Sequence, residues 1–197
     1  IIMSNGKKRG NGRINCITFD PVDPDIIWVG SPAGGLWKSV DGGSNWTTNT
    51  DDLPVIGISH IAIDPNNNQV MYIVTGDANA TDTYSIGILK STDGGLTWNT
   101  TGLSYTVDQG KTVNKVIINP NHTDSLYAVT NSNILISADA GLNWQIVGAI
   151  GRWRDIEFKP NNPNVIYTAK QSSGGSNVYR STDGGANWVV INNGITG

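Results

Sequence analysis

The chain has 197 residues, enough for one domain with a sizeable core, and carries 13 Lys and Arg against 16 Asp and Glu, for a formal charge of −3. Only 15% of residues are charged and the basic ones are scattered apart from "GKKRG" at 6–10, so no nucleic-acid partner is expected. The single cysteine, Cys16, excludes an internal disulfide and a paired-cysteine metal site, and the apolar runs are too short for a membrane-spanning helix, so no membrane insertion is expected.

The predicted elements are short strands, since 24 glycines and an acidic complement that is nearly all Asp favour turn-rich β structure over helix. The first unit runs from Ile17 and Phe19, two apart, through a turn at Pro21 to "IIWVG", the loop "SPAGG" (31–35) and the octet "SVDGGSNW" (39–46). The loop "TNTDDLPVIG" (48–57) leads to the second: "ISHIAID", a turn at Pro65, "VMYIVT", the loop "GDANATDTYSIG" (76–87), "IGILKS" and the octet "STDGGLTW" (91–98). After "GLSYTVDQGKTVN" (102–114) the third has Val116 and Ile118, a turn at Pro120, a run ending "LYAVT" and the octet "SADAGLNW" (137–144). After "GAIGRW" (148–153) the fourth has Ile156 and Phe158, a turn at Pro160, "VIYTAK", "QSSGGSN" (171–177) and "STDGGANW" (181–188). Each unit therefore predicts four strands, A to D, and the period-2 spacing in strand A puts its apolar residues on one face.

The octet aspartates Asp41, Asp93, Asp139 and Asp183 recur at spacings of 52, 46 and 44 residues. A reaction happens at one place, so a motif present four times reads as architecture. Each octet predicts the C–D turn, with Ser39, Ser91, Ser137 and Ser181 opening it. Gly43, Gly95, Gly141 and Gly185 permit positive φ, and Trp46, Trp98, Trp144 and Trp188 fold back as packing anchors. Four-stranded units of this size with a periodic aromatic leave two apolar faces each, and radial stacking into a propeller covers them. The expected blades are 13–48, 58–100, 113–148 and 153–191 of a single propeller segment, 1–197.

The octets match S/T-x-D-x-G-x-x-W and resemble the Asp-box, or BNR, repeat of sialidases, xyloglucanase-type glycoside hydrolases, sortilin-like receptors and photosystem assembly propellers. The stretch "GRINCITFDPVDPDIIWVGSPAGGLWKSVDGGSNW" resembles the sortilin-like propellers of bacterial surface proteins exported by type IX secretion. The resemblance implies an all-β propeller of four-stranded antiparallel blades. Six or more blades are implied, so the four here are expected to belong to a larger propeller, with remaining blades or another chain packing on blades one and four. A closed four-bladed ring is the rival expectation.

Alternating hairpins put the B–C and D–A loops on one rim and the A–B turns and octets on the other. The long, individual loops of the first rim are where function is expected. Its candidate binding residues are Asp77, Asp82, Tyr84, Tyr105, Asp108, Lys111 and Trp153, the aromatics for stacking on sugars and the polar groups for hydroxyls. Glycoside hydrolysis needs two facing carboxylates. Asp77, Asp82 and Asp108 lie on that rim and Asp155 and Glu157 on a strand A, none in a recognisable catalytic context. The Arg-Ile-Pro element of sialidases is missing, Asn15 standing in its place. No catalytic residue is assigned, and no cofactor. No metal is expected either: Asp64-x-Asn66-x-Asn68 begins like a calcium loop but has Gln69 and Thr75 where glycine and glutamate are needed. The expectation is thus a non-catalytic secreted or cell-surface bacterial recognition module that binds a glycan or a protein. The alternatives are a xyloglucanase-like glycoside hydrolase whose catalytic pair lies partly outside the chain, and an intracellular assembly-factor propeller.

Overall fold

The computed structural model describes residues 12–79, 83–173 and 175–194. The first sheet holds β1 (Cys16–Phe19), β2 (Ile27–Ser31), β3 (Gly35–Ser39) and β4 (Thr47–Thr48), and the second β5 (Ile58–Ile63), β6 (Met71–Thr75), β7 (Gly87–Ser91) and β8 (Asn99–Ser104). The third holds β9 (Val113–Ile118), β10 (Leu126–Thr130), β11 (Ile134–Ser137) and β12 (Gln145–Val147), and the fourth β13 (Arg152–Lys159), β14 (Asn162–Ser172), β15 (Gly175–Ser181) and β16 (Val189–Val190). Every sheet is antiparallel with its strands in chain order, and successive sheets pack face to face with β1, β5, β9 and β13 adjacent along one axis. These are four blades of a β-propeller.

The octet builds the turn between the third and fourth strands with one hydrogen-bond scheme. In the first, the Ser39 hydroxyl donates to Asp41 Oδ1 at 2.8 Å and accepts the Gly43 amide at 2.8 Å, while Asp41 also accepts the Asn45 amide at 2.8 Å and its Nδ2 at 2.7 Å. The other three repeat it around Asp93, Asp139 and Asp183. The turn needs two consecutive left-handed residues, supplied by glycine pairs everywhere except the third octet, where Ala140 takes φ 56°.

Three apolar clusters fill the spaces between blades, and they share one joint. The second strand of each blade offers an aromatic, Trp28, Tyr72 or Tyr127, to the blade that follows it. There it meets an apolar residue of the next first strand, Ile63, Ile118 or Phe158, and the next octet turn. The Tyr72 hydroxyl donates to the Ala140 carbonyl at 3.2 Å and the Tyr127 hydroxyl to that of Gly184 at 3.0 Å. The Trp28 ring lies so close to Gly95 that a Cβ there would stand 2.6 Å from it. Trp98, Trp144 and Trp188 pack at the margins of the same clusters.

Blade one departs from two expectations. Trp46, expected as an anchor like the others, is 38% exposed, and the strand-A residues Ile17 and Phe19 are 61% and 55% exposed where their counterpart Ile61 is 3% exposed. The reason is positional: these side chains face away from blade two, and the fourth blade does not pack back on the first to form a four-bladed ring. Cys16 is partly buried, and burial pushes its thiol pKa up to about 12 against a smaller opposing effect of a Gly30 backbone hydrogen bond.

Candidate functional site

On the rim away from the octets, the two long loops of blade two are stitched together. The Ser85 amide donates to the Lys111 carbonyl at 2.9 Å and the Tyr105 amide to that of Ile86 at 3.0 Å. A 3-10 turn, Val107–Gln109, ends at Gly110 in the left-handed region (φ 62°), and the Tyr84 ring lies against this glycine. Tyr84 is 38% exposed at the crest of the ridge. Tyr105 is half-buried against the cluster between blades two and three, and burial raises its pKa. Asp108 is exposed on the 3-10 turn, and the Lys111 side chain is half-buried beside it in sequence.

Asp77 is buried where the ridge begins. Its carboxylate takes an ion pair from Arg13 of blade one, whose side chain is half-exposed, and accepts the Asn79 amide at 3.0 Å. The adjacent backbone is pinned by Ser59, whose hydroxyl donates to the Gly76 carbonyl at 2.8 Å and accepts the Ala78 amide at 3.0 Å. Arg154 of blade four reaches the same segment, donating to the Ala78 carbonyl at 3.1 Å and to Gln171 Oε1 at 2.8 Å. The start of this loop thus ties blades one, two and four together. Asp82 lies outside the described residues.

Trp153 is not a surface residue. It is 1% exposed, its indole N–H donates to the Ala149 carbonyl at 3.1 Å, its ring meets Tyr179 edge-on at 5.0 Å, and Lys170 lies over it at 5.4 Å. An aromatic at the start of a first strand points into the joint, so this residue cannot stack on a ligand.

Below the rim, the first strands line a cavity of about 390 Å³ whose walls include Thr18, His60, Lys115 and Glu157. Lys115 Nζ bonds Asp155 Oδ1 at 2.8 Å and also Glu157. Burial works against the Lys115 ammonium, but hydrogen bonds to the two carboxylates outweigh it and raise its pKa. His60 Nδ1 is buried without a hydrogen-bond partner among the described residues; burial, helped by the Lys115 charge, lowers its pKa to about 4. Sequence reasoning placed Asp155 and Glu157 on a strand but missed this cluster and both bridging arginines. Aligning the strand-A registers was the available signal, since His60, Lys115 and Asp155 occupy one level of successive first strands.

No protein-family model matches the chain. The fold is that of a β-propeller, and curated relatives align with the chain over most of its length. A xyloglucanase of a Paenibacillus species is 27% identical over 217 aligned residues, covering 92% of this chain and 21% of its own length. A xyloglucanase of Acetivibrio thermocellus is 25% identical over 92% of this chain and 26% of its own length. Among solved structures, an ancestral GH74 enzyme superposes with a TM-score of 0.73 at 19% identity, covering 91% of this chain and 24% of that one. The Niastella koreensis GH74 enzyme gives 0.71 at 23% identity, with 92% and 30% covered. YCF48 from Cyanidioschyzon merolae gives 0.63 at 16% identity, with 90% and 55% covered, and like the other structures it bears on the fold alone. The chain therefore spans about a quarter or less of the length of these curated relatives. These findings overturn the expectation of a non-catalytic recognition module: relatives aligned across all four blades are named for a hydrolytic activity, and the glycoside-hydrolase alternative fits them.

Proposed function

We propose that these four blades are part of the propeller of a glycoside hydrolase acting on xyloglucan or a related β-glucan, with the substrate running along the rim opposite the octets. The observation that carries this reading is the alignment of xyloglucanases with 92% of the chain, all four blades included. The octets are read as Asp-box turns that hold the scaffold and stand away from the substrate. The stitched ridge supplies the recognition surface, with Tyr84 offering a ring face to a sugar and Asp108 and Lys111 offering polar contacts.

Hydrolysis of a glycosidic bond needs a proton donor and a second carboxylate, about 5–5.5 Å apart for retention or 6.5–9.5 Å for inversion. Among the described residues of this rim, Asp77 is buried and engaged by Arg13, and Asp108 is exposed on a turn. No catalytic pair is assigned from these two residues. Such an enzyme acts outside the cell, because a polymeric glucan does not cross a membrane.

The test is reducing-sugar release from xyloglucan by the whole protein, with cellulose as the comparison. Activity on xyloglucan is expected, and Tyr84→Ala should lower kcat/KM several-fold, roughly 1 kcal/mol for a lost stacking face. A protein that neither cleaves xyloglucan nor binds its oligosaccharides sinks the reading.

A further inference from the structure

At the rim away from the octets, the first strands of blades two, three and four each break their pairing register at one residue. The skipped residues are Ser59, Asn114 and Arg154. A bulge of this kind leaves the extra residue unpaired and re-aims its side chain. Ser59 and Asn114 turn theirs onto neighbouring backbone, at the Gly76 and Trp153 carbonyls. Arg154 alone of the three is charged. It reaches the Ala78 carbonyl through Nη1 at 3.1 Å and Gln171 through Nε at 2.8 Å, and its Nη2 has no hydrogen-bond partner among the described residues. Arg152 opens the same strand, is exposed, and makes no hydrogen bond or ion pair among the described residues. Burial and then the Arg152 charge lower the Arg154 pKa, so the two guanidinium groups stand close enough to oppose one another. The neighbouring carboxylates are already engaged: Asp77, beside Ala78, by Arg13, and Asp155, beside Arg154, by Lys115. A chain of formal charge −3 thus holds two uncompensated cations beside the segment where the Tyr84 ridge begins. Like charges so placed work against the fold until an anion answers them.

We infer that Arg152 and Arg154 form an anion subsite for a carboxylate carried by the glycan, so that the preferred substrate bears uronate units as well as neutral sugars. A guanidinium fork meets a planar carboxylate through two parallel N–H···O bonds, which a neutral hydroxyl cannot match. The bonds to Ala78 and Gln171 fix the Arg154 plane and leave its Nη2 edge for the ligand. The inference rests on the proposed function only in taking this rim as the face on which the glycan lies. It adds a charged decoration that the alignment with xyloglucanases does not supply.

The test is calorimetric titration of the whole protein with two matched probes, a neutral xyloglucan oligosaccharide and the same oligosaccharide oxidised at a terminal C6 to the uronate. The oxidised probe is expected to bind about tenfold more tightly at low salt, and the preference should shrink several-fold in about 0.5 M salt, where exposed charges are screened. Arg152→Gln is expected to erase most of the preference without moving the melting temperature, since its side chain has no partner to lose. Arg154→Lys, which keeps the charge and loses the fork, should also reduce it. Equal affinity for the two probes overturns the subsite and leaves the proposed function standing, and a preference that survives Arg152→Gln does the same. Tight, Arg152-dependent binding of the oxidised probe with no cleavage of either supports the subsite and removes the hydrolase. Failure of both probes to bind sinks the two readings together.

Discussion

At the scale of single residues, the octet aspartates show how one side chain can specify a turn. Asp93 Oδ1 accepts the Ser91 hydroxyl at 2.7 Å and the amides of Leu96 and Thr97 at 3.0 and 2.9 Å, and Oδ2 accepts the Thr97 hydroxyl at 2.6 Å. Only an ionised carboxylate accepts from four donors at once, and these bonds, the Thr97 side chain's foremost, lower its pKa to about 2. The pKa values of Asp41, Asp139 and Asp183 are lowered for the same reason. A depressed folded-state pKa contributes stability that is complete above the ordinary value of about 4 and is lost as pH falls toward 2. Asp93→Asn, which turns an NH₂ toward these donors, is expected to melt below wild type at pH 7. The gap should narrow steadily between pH 4 and 2 in thermal melts followed by circular dichroism. A gap independent of pH would refute the carboxylate account.

At the scale of the element, the blade is a hairpin pair whose last strand reaches the neighbouring turn. Gly102 of β8 donates its amide to the Gly141 carbonyl at 2.8 Å, and a Cβ on Gly102 would stand 2.1 Å from the Leu142 carbonyl oxygen. Backbone cannot yield as a side-chain tip can, so Gly102→Ala is expected to push β8 off the third octet at a cost of about 1–3 kcal/mol in urea unfolding. A neutral substitution would show that the two blades slide freely there. The strands themselves were legible in the sequence because period-2 apolar pairs and proline turns repeat four times. The exposure of the first strand of blade one and the burial of Trp153 were not legible. Ile17 and Ile61 look alike in sequence, yet one is exposed and the other buried, since burial at a blade face is decided by the neighbouring blade. Trp153 sits in a variable stretch, where nothing local distinguishes a loop aromatic from a core one.

At the scale of the whole molecule, a charged cluster sits along the first strands at the axis of the stack, while the spaces between blades are apolar. His60, Lys115, Asp155 and Glu157 come from three blades and meet only because the first strands share a register. The 76–87 and 102–114 loops are hydrogen-bonded to each other on one rim, and that they share it was legible. The bridges of Arg13 and Arg154 to the 76–79 segment were not, because each joins residues 64 or more positions apart. The folded protein holds His60 neutral, so the unfolded chain gains a proton first. Stability should fall as pH drops from about 6.5 to about 4 and level off below, as far as this residue is concerned. Proton NMR titration should find the His60 midpoint near 4, and Lys115→Met should move it upward by removing a like charge. A midpoint near 6.5 in the wild type would contradict the buried setting. The joint between blades has one more consequence, which concerns symmetry. With an aromatic on one side and a turn on the other, it is not self-complementary, so no two-fold dimer can use it. Contacts of this heterologous kind either close into a ring or continue without end. The number of blades therefore decides between a discrete particle and a filament. Deleting one internal blade from a closed ring would leave two matched ends free to polymerise.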